Sequence, residues 1–208
     1  MSEEAHTAGD ILDLLDWRRR VAALYSDIRA SEEPEKAWWR WREVRDELLG
    51  SHPQSPLPSD TRAGFEGLAY FDYDPTYRVT GEIEAAEPQR FELPGSAGET
   101  FGATRFARAA FRLEGQDLAL GMYWLDGYAG GLFVSFRDET SGRETYGACR
   151  YLLDTVKGAD LGSEGASLIL DFNFAYNPSC SYDPRWACPL APPDNRLPIA
   201  VTAGERHG

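Results

Sequence analysis

From about Tyr77 onward the chain is written in short β-rich runs, each closed by turn residues, and this texture limits the fold more than any other feature. The runs span 78–84, 104–113, 117–125, 132–137, 150–154, 167–175 and 197–202, and they favour the β-branched and aromatic residues that suit a pleated surface. Turn residues at Glu114-Gly115-Gln116, from Asp126-Gly127 to Gly131 and over 138–142 join successive runs as hairpins. Such a meander must close on itself or cover its apolar face. The expected fold is therefore mainly β (α+β), an antiparallel meander curled into a barrel or barrel-like sheet.

Two amphipathic helices precede it. Ile11, Leu14, Leu15, Trp17, Val21, Leu24, Tyr25 and Ile28 recur at three- and four-residue spacing and predict one buried stripe. Pro34 opens a second helix carrying Ala37, Trp38, Trp41, Val44 and Leu48, which Gly50 ends. Trp38 and Trp41 share the stripe, which leaves Trp39 as the aromatic available to a partner. SHPQSPLPSD follows, a strap whose three prolines forbid regular structure. A chain of 208 residues suits one domain burying roughly 70% of its unfolded surface. Its expected parts are helices over 8–50, strap over 51–76 and β-rich body over 77–208.

With 34 acidic against 21 basic side chains the net charge is -13, a field that repels phosphate backbones and anionic lipids. Nucleic acid and membrane are not expected partners; oligomeric state is not legible. No signal-peptide pattern opens the chain and no run approaches a membrane span, so a cytoplasmic location is expected. Cys149, Cys180 and Cys188 are odd in number and lack zinc-site spacing. A Cys180–Cys188 bridge is geometrically possible, but a reducing compartment favours free thiols. No metal and no cofactor is expected. The histidines are His6, His52 and His207, of which only His52 falls in a folded region, and no G-x-S-x-G elbow is present. Nor is there a phosphate-binding glycine loop, since GYAGG at 127–131 lacks a following helix and reads as a turn. Asp72 and Asp74 begin like a calcium loop, but Tyr77 stands where glycine is needed and Ile83 where the bidentate Glu belongs.

Chemistry concentrates on the strand faces. Strict alternation over 168–177 sends Asp171, Asn173 and Asn177 to one face, and Leu170, Phe172, Phe174 and Tyr176 to the other. The same rule groups Ser135 with Arg137, and Arg150 with Asp154. If these faces point into a barrel they line a pocket with two guanidiniums, a carboxylate, amides and the Tyr146 hydroxyl, suited to a carboxylate or phosphate. In an ordinary sheet they would meet water instead. Asp and Asn are poor strand formers, so a hydrogen-bonding role, either in a site or in bracing the next loop, explains them better. That loop, YNPSCSYDPRWACPLAPPDNRLP, holds six prolines and reads as a preordered plug over the sheet.

These strings, together with GGLFVSFRDETSGRETYGACRYLLDTVKGADLG at 130–162, HPQSPLP at 52–58 and GLAYFDYDPTYRV at 67–79, resemble the bacterial family catalogued as domain of unknown function 1684, in its actinobacterial branch. The resemblance covers most of the chain and implies no established activity. Residues matching the family's pattern include Arg137, Asp138, Tyr146, Arg150, Asp171, Asn173, Tyr176, Asn177 and Cys180. Cys149 replaces an expected glycine, which argues against an essential thiol there.

The candidate ligand-binding set is Arg137, Asp138, Tyr146, Arg150, Asp171, Asn173, Tyr176 and Asn177. The leading expectation is a protein that binds a small polar or anionic molecule in a β-barrel pocket, with Asp171 neutralising an arginine. A second is a hydrolase or lyase with Asp171 as general base and Tyr146 or an arginine stabilising negative charge. A third is an interaction module acting through Trp39 and the helices.

Overall fold

The computed structural model describes residues 7–128 and 130–207; His6 and Ala129 of the GYAGG cluster lie outside the described residues. The first helix, α1 (Ala8–Ala30), starts earlier than its apolar stripe because Thr7 and Asp10 form a capping box. Thr7 Oγ1 accepts the Asp10 N–H at 3.2 Å while the Asp10 carboxylate accepts the Thr7 N–H at 2.8 Å, satisfying two amides that a helix start leaves free. Pro34 opens α2 (Pro34–Ser51), as its fixed φ favours. Trp38 and Trp41 are buried, and Trp39 is 51% exposed. The predicted stripe of α1 docks only in part. Leu24 and Tyr25 are buried, but Ile11, Leu14 and Leu15 stay 39–59% exposed, and Leu14 faces a cavity rather than a packed layer.

The strap passes through one turn of helix, α3 (Ser59–Arg62), into the sheet. Seven antiparallel strands, β1 (Arg78–Pro94), β2 (Thr100–Leu113), β3 (Gln116–Leu125), β4 (Gly131–Phe136), β5 (Arg150–Asp154), β6 (Ser163–Glu164) and β7 (Ser167–Asp171), lie in the order β5-β4-β3-β2-β1-β7-β6. Register shifts at Ala85/Gln89, Arg105/Ala107 and Val134/Ser135 curl the sheet, as unpaired bulge residues do. It curls without closing, so of the two expected forms the barrel-like sheet is the one observed. After Asp171 the chain leaves the ladder in a 3₁₀ turn, Phe172–Phe174, and returns to β5 through a single backbone bridge between Tyr151 and Tyr176 (2.8 and 3.0 Å).

That turn also corrects the alternation predicted over 168–177. Asp171 caps it by accepting the Asn173 N–H at 3.0 Å, so Asn173 and Asn177 no longer share a strand face with Asp171. The last predicted strand, 197–202, joins no ladder. Leu197, Ile199, Val201 and Ala203 are buried in alternation, yet their backbone is tied by Glu139 N–H to Ile199 O (2.9 Å) and by Val201 N–H to Asp138 Oδ2 (2.9 Å). The helices reach the sheet through aromatics: Trp41 meets the Phe174 ring edge-on at 5.3 Å, and Trp38 Nε1 donates to Asn173 O at 2.9 Å.

Candidate functional site

The expected unit of Arg137, Arg150 and Asp171 is not assembled. Arg150 is 1% exposed and its charge is met by Asp138, not Asp171: Nη2 donates to Asp138 Oδ2 at 2.8 Å and to Val201 O at 2.9 Å, and Nη1 donates to Ala203 O. Asp138 accepts further from Thr140 N–H, the Thr140 and Ser141 hydroxyls and Val201 N–H. Burial lowers the Arg150 pKa against the pull of Asp138. This pair braces the turn at 138–142 against the C-terminal strip. Arg137 stands apart, its backbone paired with Asn195 and Leu197.

Asp171 is 1% exposed and lies 3.9 Å from Arg78 Nε. Burial pushes its carboxyl up to about 6, against the Asn173 hydrogen bonds and Arg78. Asn173 acts as a brace. Its side chain spans Asp171 Oδ1 (2.9 Å), Asp74 O (2.8 Å) and Asp74 N–H (3.0 Å), tying β7 to the strap. Tyr146 sits elsewhere, its hydroxyl 3.7 Å from Cys180 Sγ and its ring 5.8 Å from that of His207. Asp171 as general base and Tyr146 as stabiliser of negative charge, the pair expected for catalysis, thus share no hydrogen-bond partner among the described residues. His52 locks the strap, with Nε2 3.2 Å from Asp16 Oδ2 and Nδ1 accepting the Gln54 N–H.

A cavity of about 440 Å³ lies between the two helices and the proline-rich C-terminal loop. Its walls are mostly apolar, from Leu14, Trp17 and Val21 of α1, Leu48 and Leu49 of α2, Pro56 of the strap and Trp186 of the loop. Among the described residues three cations, Arg18, Arg45 and Lys157, line it, and no Asp or Glu does. Arg45 is committed: Nη2 donates to Glu205 Oε2 at 2.7 Å, Nε to the Tyr70 hydroxyl at 3.3 Å, and its guanidinium lies over Trp41 and Tyr176. Glu205, 1% exposed, also accepts the Tyr182 hydroxyl, Asn177 N–H (3.0 Å) and Asn177 Nδ2 (2.9 Å). Burial raises its pKa despite Arg45.

Lys157 has a loose neighbour in Asp154 at 4.0 Å, and Arg18 has no carboxylate partner among the described residues. Burial raises the Tyr25 phenol to about 12 and those of Tyr176 and Tyr182 well above the ordinary value, so all three stay neutral. Tyr25 accepts from Trp41 Nε1 at 3.1 Å and keeps its own hydrogen to donate. Asn177 Oδ1 is buried without a partner among the described residues.

Of the predicted residues, only Tyr176 and Asn177 line this cavity. Arg18, Tyr25, Arg45 and Glu205 were missed. For Arg18 and Arg45 the one local signal is polarity at the rim of a helical stripe, which a solvated helix face shows equally; Tyr25 reads as part of the buried stripe, and Glu205 is one acid in the C-terminal segment.

The model of a family described as "Protein of unknown function (DUF1684)" matches residues 63–206. The chain belongs to this family. The match takes in the whole sheet and the C-terminal loop but starts after α2, so the cavity has one wall inside it and one outside. A solution NMR structure of an uncharacterized protein from Haloarcula marismortui is similar at 38% identity, over 83% of this chain and 93% of that one, with a TM-score of 0.59. No curated protein matches. Among the described residues, no helix is long and apolar enough to cross a membrane.

Proposed function

We propose that this member of the family binds a small amphiphilic anion, an aliphatic or aromatic body carrying a carboxylate or phosphate, in the cavity between the helices and the C-terminal loop. One observation carries the reading: in a chain of net charge -13, the described residues that line the cavity include three cations and no acid. Apolar walls with a few placed polar groups are what small-molecule sites present. Arg18 and Lys157 supply the charge, the Tyr25 hydroxyl a donor, and Asn177 Oδ1 an acceptor for a ligand N–H or O–H. Nucleic acid and membranes stay outside the proposed partners on the ground of charge, and the proposed location is the cytoplasm.

The test is thermal denaturation with medium-chain and aromatic carboxylic acids, each beside its neutral amide. A ligand at 100 times its dissociation constant should add about 2.7 kcal/mol, acids should outperform amides, and Val21→Trp, which fills the space, should abolish the effect. Equal shifts for acids and amides, or full binding by Val21→Trp, would reject the site.

A further inference from the structure

The C-terminal loop holds two sulfurs that the cavity reading does not use. Cys180 and Cys188 are free thiols. The 3₁₀ turn Ser179–Ser181 folds one back on the other, so that the Cys180 N–H donates to Cys188 Sγ at 3.3 Å. Cys188 is 1% exposed and is held in place twice by Ser96, whose hydroxyl accepts its N–H and whose N–H donates to its carbonyl, both at 3.0 Å. Cys180 is only partly buried, with the Tyr146 hydroxyl 3.7 Å from its sulfur. One sulfur is thus reachable and the other waits behind it, the arrangement of a reactive thiol beside a resolving one.

We propose that Cys180 and Cys188 form an oxidisable dithiol, in which Cys180 reduces a hydroperoxide and Cys188 resolves the product to a disulfide. The Cys180 thiolate attacks the distal peroxide oxygen; an S–O bond forms, the O–O bond breaks, and the leaving alkoxide or hydroxide takes up a proton. Cys188 sulfur then attacks Cys180 sulfur; the S–S bond forms, and the S–O bond breaks as hydroxide, which leaves as water with the Cys188 proton. Two thiols and one hydroperoxide become a disulfide, an alcohol or water, and a water. Hydrogen bonds from Cys188, Ser96 and Tyr146 bring the Cys180 thiol down to about 6, against its burial. Burial pushes Cys149 up to about 12 and leaves it inert. The ionisable groups facing the pair are Tyr146 and Cys149, with Lys157 beyond Cys188 and Arg137 beyond Cys149. Intracellular disulfides are mostly transient and redox-sensing ones, and this one would staple a loop that walls the cavity. Cys188 also lines the cavity wall, but no step of the chemistry uses a cavity ligand.

The test treats the reduced full chain with one equivalent of hydrogen peroxide. Trypsin cleaves after Arg185, so Cys180 and Cys188 fall on separate peptides, 158–185 and 186–196, and Cys149 on 144–150. The first two should appear joined, with Cys149 still alkylatable. Cys188→Ser should accumulate a Cys180 sulfenate that a 1,3-diketone captures, and Cys180→Ser should leave the other thiols unreacted. Oxidation of the folded chain at neutral pH should be about tenfold faster than in denaturant. In the unmodified protein, whatever the variants do, the rate should rise through pH about 6 rather than at the ordinary thiol range. First oxidation at Cys149, a rate equal to that in denaturant, or a disulfide between two chains would overturn the proposal.

Discussion

Arg150 with Asp138 and Arg45 with Glu205 are the same chemical pair in two surroundings. Both are near 2.8 Å and both carboxylates are at most 2% exposed. Around the first, backbone carbonyls and threonine and serine hydroxyls meet the charges except at Arg150 Nε, which is buried without a partner among the described residues, and neither residue lines the cavity. The second is ringed by neutral phenols and stands at a cavity wall. A buried charge is costly in either place, so its presence alone does not mark a site; what distinguishes the second pair is the space beside it.

The sharpest test of the contrast is Asp138→Ala, which strands a buried guanidinium and removes the acceptor of five hydrogen bonds. It should cost roughly 3–5 kcal/mol in urea denaturation while leaving ligand affinity unchanged. A loss below about 1 kcal/mol would show the pair to be open to water. Glu205→Gln keeps an acceptor for Asn177 and should cost less, about 2 kcal/mol. By removing a negative charge behind the cavity it should tighten the binding of an anion in titration calorimetry; unchanged affinity would erase the difference between the two pairs.

Asp171 provides a third buried carboxylate for comparison. Its folded pKa of about 6 lies above the free value of 3.8, so the folded state holds its proton more tightly. Its contribution to stability is full below pH 4 and is lost as pH rises through 6, by about 3 kcal/mol at most. Asp171→Asn, which preserves the acceptor for Asn173, should flatten that part of the stability curve against pH; an unchanged slope would place Asp171 in water. The smallest effect is expected at the cavity mouth. Arg18→Gln should alter stability by no more than about 0.5 kcal/mol yet weaken binding of carboxylic acids and not of amides.

Particular residues explain how much of the fold is legible in the sequence. Strands over 150–154 and 117–125 can be read because their patterns and turns agree locally. The run from Arg78 reads as ending at Glu84, since Pro88 lacks an N–H. The shift between Ala85 and Gln89 absorbs that proline, and pairing resumes to Pro94. Asp171-Phe172-Asn173 alternates like a strand, but short polar side chains bond their own backbone and break the run into a turn. The cavity is not legible at all: Trp17, Leu48, Lys157 and Trp186 come from four segments whose meeting depends on the packed whole. Asn195 is a similar case. Fully buried, it bonds Gly121 N–H (2.7 Å), Gly121 O (3.1 Å) and Ser135 O (2.8 Å), joining β3 to β4, yet in sequence it is one polar residue in a proline-rich turn.

Glu205 lies 160 residues beyond Arg45, and Asn173 lies 135 beyond Trp38. Contacts so distant along the chain form late, because the loop they close must be ordered first. During synthesis the helical hairpin emerges early and waits, with Trp38 and Trp41 uncovered, for a partner still to be translated. Its exposure to chaperones and to self-association is set by elongation time. Tryptophan fluorescence should accordingly reach its native value only in the slowest refolding phase, and substitutions at Glu205 should lengthen that phase more than those at Asp138.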